Sequence, residues 1–94
     1  MSNFYVKCSI YKGVFSGEYS YNIKLKDGRI YSSIAPTHYF LNESKKPIDN
    51  LNSEINGFVK CYPVEKNQFG VKVQIPTIQQ FTSVYVDDSI IYEL

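Results

Sequence analysis

The sequence predicts an all-β or β-dominated α+β fold, a small antiparallel barrel of about six strands in the OB-like or SH3-like style. Three observations carry that expectation. Aromatic residues are abundant and of the strand-favouring kind, with nine Tyr and six Phe but no Trp. Apolar side chains recur at every second position in several segments. Gly, Pro, Asn and Asp punctuate those segments at short spacing. Ninety-four residues, 44% of them apolar, fit a single β domain spanning 1–94.

The first strand runs over 3–12, where Phe4, Val6, Cys8 and Ile10 share one face and Tyr5, Lys7, Ser9 and Tyr11 the other. Gly13 to Glu18 breaks the alternation and reads as a loop. Tyr19, Tyr21, Ile23 and Leu25 then alternate into Asp27-Gly28, the dipeptide of a two-residue hairpin turn. Counting outward from that turn sets Leu25 opposite Ile30, Ile23 opposite Ser32, Tyr21 opposite Ile34 and Lys24 opposite Tyr31. Pro36 ends the third strand, since proline cannot donate to a ladder.

Tyr39-Phe40-Leu41 fits a short strand or a packed loop. A short helix is admitted around 47–55, started by Pro47, with Ile48, Leu51 and Ile55 on one face and Asn56-Gly57 as its end. Strands return at 58–62 and 71–75, joined by a long hairpin loop over Pro63 to Gly70. The tail, 83–86 and 90–92 around Asp87-Asp88-Ser89, reads as a terminal hairpin or a bulged last strand. The expected core is Phe4, Val6, Cys8, Ile10, Tyr21, Ile23, Leu25, Ile30, Ile34, Val59, Cys61, Val71, Val73, Ile75, Val84 and Val86.

Ten Lys/Arg against nine Asp/Glu leave a formal charge of +1, without the basic excess of duplex-binding proteins. The charge is uneven: Lys7, Lys12, Lys24, Lys26 and Arg29 dominate the first forty residues, whereas Asp87, Asp88 and Glu93 are the only charges after Pro76. No apolar run reaches membrane-span length and no leader pattern is visible, so a cytoplasmic chain with reduced Cys8 and Cys61 is expected.

Catalytic chemistry finds no footing. His38 is the single histidine, and both cysteines fall on apolar strand faces, where a thiol acts as a small hydrophobe. No ligand spacing suggests a metal, and Gly13 to Gly17 lacks the lysine and following helix of a phosphate loop. The expectation is a non-catalytic module without cofactor or metal, acting through protein–protein association or self-association, since Tyr-rich surfaces are common at interfaces.

The alternative is single-stranded nucleic-acid binding through an aromatic and basic face. In an OB-like barrel, that face would centre on a Lys24–Tyr31 cross-strand pair. Lys12 with Phe15 would frame it on one side and Lys66 with Phe69 on the other. Tyr5, Lys7, Tyr11, Phe58, Lys60, Tyr62 and Lys72 also fall on outward positions.

Overall fold

The computed structural model describes residues 3–94. Eight strands follow one another: β1 (Phe4–Lys12), β2 (Glu18–Lys24), β3 (Ile30–Pro36), β4 (Phe40–Asn42), β5 (Ile55–Asn67), β6 (Gly70–Pro76), β7 (Phe81–Val86) and β8 (Ile91–Glu93). All pairings are antiparallel. The sheet runs in the order β3-β2-β1-β5-β6-β7, with β4 added to β5 and β8 to β1. It curls into a half-barrel, the barrel-like all-β fold that the alternating segments lead one to expect. The count exceeds the expected six because β4 and β8 are three-residue pieces.

β1 and β5 form the spine. They pair from Phe4↔Cys61 to Ile10↔Ile55, burying Val6, Cys8, Ile10, Val59 and Cys61 on the inner face. Each also serves two strands on its other edge. β1 holds β2 through Ser9–Lys12 and β8 through Phe4–Val6, and β5 holds β4 first and β6 after Cys61. Gly57 sits where β4 crosses closely, and a Cβ there would collide with the Leu41 carbonyl oxygen and lie 2.7 Å from Ile10 Cδ1. This glycine is therefore a strand residue with a packing reason, and not the end of a helix.

The β2–β3 hairpin departs from the expected register. Leu25 N–H donates to the Arg29 carbonyl and Gly28 N–H to the Leu25 carbonyl, so the loop has three residues, with Gly28 at φ +93°. Asp27 holds this form by accepting from Arg29 N–H at 3.0 Å and from its Nε at 2.7 Å. Every pairing shifts by one, giving Ile23↔Tyr31, Tyr21↔Ser33 and Tyr19↔Ala35.

Volume explains the choice. Tyr21 is fully buried, and the residue across the hairpin from it is the small Ser33, with the small Ala35 diagonal to it, where the expected register sets Ile34 against it. Ile30 and Ile34, expected in the core, consequently lie on the outer face, and Ile30 is 60% exposed.

Other corrections have local causes. Among the described residues no α-helix forms over 47–55. Asn42 accepts from Ser44 N–H and Lys46 N–H, which folds a polar loop, and Ile48 and Leu51 become loop anchors on the core. The expected Pro63 to Gly70 loop is mostly strand. β5 continues to Asn67 past an irregularity at Pro63–Glu65, leaving only Gln68 and Phe69 in the turn.

Nor do β7 and β8 form a hairpin. β7 pairs with β6, then a 3-10 turn at Asp88–Ile90, capped by the Asp87 side chain, carries the chain across to β1. Ala35, Phe40 and Leu51 join the core unexpectedly and Phe58 is buried on the opposite face against Tyr92, whereas Phe4 and Val84 are half-buried and Leu25 is intermediate.

The half-barrel has a tied end and an open end. At the tied end, Lys26 N–H donates to the Tyr85 carbonyl at 2.9 Å and Lys26 Nζ meets Asp87 at 2.7 Å. Deeper inside, the Tyr21 hydroxyl donates to the Pro76 carbonyl at 2.6 Å. At the other end an open groove of about 860 Å³ separates the Ser32–Ile34 stretch of β3 from the β6–β7 connector Thr77–Gln80.

Candidate functional site

The residues singled out in the sequence are not gathered into one face. Lys12 and the 72% exposed Phe15 stand at the β1–β2 loop, where Phe15 N–H reaches Glu18. Lys66 and Phe69 stand at the opposite end of the barrel. Lys66 contacts Asp88 at 3.3 Å, and Phe69 lies edge-on to Tyr85 with ring centroids 6.1 Å apart. The seven residues of β2 separate the two groups by about 20 Å. The Lys24–Tyr31 pair does not exist, because the shifted register leaves Lys24 outward beside Ile30 and sets Tyr31 inward beside Ile23. A one-residue slip exchanges the two faces of a strand, and the expected centre of the site is lost with it.

The thiols are set for packing. Cys8 and Cys61 are buried, and burial pushes the Cys8 thiol well above its ordinary range and that of Cys61 up to about 12. His38 is exposed beside the Tyr39 ring, at 4.1 Å between centroids. Among the described residues no three His, Cys, Asp or Glu side chains stand together as a metal site, and no helix is long and apolar enough to cross a membrane.

Two surfaces remain with chemistry to offer. The first is the free edge of β3. Because Leu25 bonds to Arg29, the alternation of an antiparallel ladder makes 23↔31, 21↔33 and 19↔35 the hydrogen-bonded pairs. The N–H and C=O groups of Ile30, Ser32 and Ile34 therefore point away from β2. Among the described residues β3 pairs with no strand besides β2, and its Ser32–Ile34 stretch faces Thr77–Gln80 across the open groove. From Ile30 to Pro36 it carries no charged side chain, whereas edge strands are ordinarily protected by charge, bulges or cover. Its outer-face residues read Ile30, Ser32, Ile34, the same in either direction.

The second surface is the outer face of β1, β5 and β8, where Tyr5, Phe58, Tyr62 and Tyr92 surround Lys60. Its alternation was visible in the sequence. What hid it as a site was long-range pairing: only the β1–β5 and β1–β8 registers bring Tyr5, Lys60 and Tyr92 side by side. Comparison with protein-family models, curated proteins and solved structures finds no match for this chain.

Proposed function

We propose that the chain is a non-catalytic interaction module that associates with a second copy of itself through β3. The observation behind this reading is the free, uncharged edge of β3 with its direction-independent Ile-Ser-Ile pattern. Antiparallel pairing about a two-fold axis at Ser32 lets each Ser32 exchange both backbone bonds with its mate. Ile30 of one copy then lies beside Ile34 of the other, twice over, which covers the 60% exposed Ile30. The outer faces of the two half-barrels become one continuous sheet.

The contact covers one strand per copy and so belongs to the small, transient class of interfaces. Arg29 stands just beyond the paired stretch and limits lateral growth by charge. The basic N-terminal and acidic C-terminal segments meet within one copy at Lys26–Asp87, so their charge split is not needed for this contact.

Sedimentation velocity from micromolar to millimolar concentration tests the reading. The wild type is expected to move from the 10.9 kDa monomer toward twice that mass. Ser32→Pro removes an outward backbone donor and the Ser32 hydroxyl's bond to Asn22 but no backbone bond of the β2–β3 ladder, and is expected to stay monomeric. A wild type that remains monomeric throughout, or a Ser32→Pro variant that still dimerises, would overturn it.

A further inference from the structure

We infer that the outer face centred on Lys60 is a binding site for a single-stranded oligonucleotide, with bases stacking on Tyr62 and Tyr5 and phosphates meeting Lys60 and Lys7. This site is distinct from the β3 edge and from the loops around Phe15 and Phe69.

Lys60 occupies the middle of the face. Its Nζ lies 5.4 Å from the ring centroids of both Tyr5 and Tyr62, and its only hydrogen-bond partner among the described residues is the Asn3 side-chain oxygen. Rings extend the row on both sides. Tyr62 meets Phe81 at 5.3 Å, Phe81 meets Tyr39 at 5.6 Å, and Tyr92, cross-strand from Tyr5, meets Phe58 at 5.1 Å.

Outward positions of β1, from Tyr5 to Tyr11, and of β5, from Asn56 to Tyr62, carry Lys7 and Lys60 and no carboxylate. A cation held among rings without a counter-ion complements a polyanion whose bases offer ring faces of their own. Tyr62 is 47% exposed and Tyr5 half-buried, so both have ring surface open to a ligand. The modest charge matches a short footprint: two phosphate contacts correspond to a log–log salt slope of about −1.4.

The test is fluorescence anisotropy of labelled ten-nucleotide oligothymidine and oligouridine, titrated with the full chain at low and moderate salt. The two probes separate DNA from RNA preference. Binding that weakens with salt is expected, with Tyr62→Ala lowering affinity about ten-fold, the loss of one stacked base. Lys60→Gln and Lys7→Gln should each flatten the salt slope, and Phe15→Ser and Ser32→Pro should leave binding unchanged. Thermal melts establish that each variant is folded, and Lys7→Gln, at an exposed position, keeps the test decisive if Lys60→Gln is not. Failure of both probes to bind at low salt overturns the proposal, as does binding indifferent to Tyr62→Ala and both lysine changes. Displacement by inorganic polyphosphate as readily as by unlabelled oligonucleotide overturns the stacking role. Because Ser32→Pro separates this site from self-association, either reading can fail alone.

Discussion

β1 and β3 are both amphipathic strands of one sheet, yet they stand in opposite situations. β1 is paired along both edges, and its inner residues Val6, Cys8 and Ile10 are the ones that simple alternation selects. Among the described residues β3 is paired along one edge only, and its inner residues are Tyr31, Ser33 and Ala35 where alternation of its largest apolar groups would select Ile30 and Ile34. A strand fixed from both sides has a single register that buries its hydrophobic set. A strand at the margin takes its register from its hairpin loop and from the one large residue it must accommodate, here Tyr21. The same marginal position leaves β3 with unused backbone groups and two outward isoleucines, the features that suit it to a partner strand.

Substitutions should separate the two strands in a graded way. The largest effect is expected at the spine: Ile10→Ala, at a fully buried position, should lower unfolding free energy by about 3 kcal/mol in urea titrations. On β3 the effect should depend on parity. Ser33→Pro breaks a ladder bond to Tyr21 and should cost about 2 kcal/mol, whereas Ser32→Pro, one residue away, should change monomer stability much less and remove association. Equal losses at the two positions, or the larger loss at Ser32, would contradict the assigned β2–β3 ladder.

Smaller effects belong to the contacts that tie the ends of the sheet together. Tyr21→Phe deletes the bond to the Pro76 carbonyl and should cost about 1 kcal/mol, read as a lowered urea midpoint with unchanged slope. The smallest is electrostatic. The Lys26 ammonium, with the Ser89 backbone N–H and side chain, holds the Asp87 carboxyl well below the usual carboxylate range. A depressed folded-state value means that Asp87 adds stability above its unfolded value, near pH 4, and loses it as pH falls toward the folded one. Thermal melts at neutral and acid pH should therefore show a smaller acid loss in Asp87→Asn than in wild type.

The legibility of the chain follows the same division. β1, the inner face of β5 and the Val71, Val73, Ile75 stripe were readable because burial imposes strict alternation on them. The Asp27-Gly28 turn was readable as a turn but not in its length, since the side chain of Asp27 and the bulk of Tyr21 select three residues over two. The helix reading at 47–55 takes Ile48, Leu51 and Ile55 for a helical stripe, whereas Ile48 and Leu51 are loop anchors, Ile55 opens β5, and Asn42 organises the start of the loop by local bonds. β8 escaped because its partner, β1, lies at the far end of the chain. For the site, residue types were visible and neighbours were not. Tyr5, Lys60 and Tyr62 were recognisable as outward-facing, and only strand order places them together.

Amide hydrogen exchange, followed residue by residue at low and high protein concentration, distinguishes a partnered β3 edge from an idle one. The inward N–H groups of Tyr31 and Ser33, already bonded to β2, should be protected at both concentrations. Those of Ser32 and Ile34 should exchange freely in dilute solution and become protected as concentration rises. Exchange at Ser32 and Ile34 that is fast at every concentration, or new protection confined to other strands, would contradict self-association through β3.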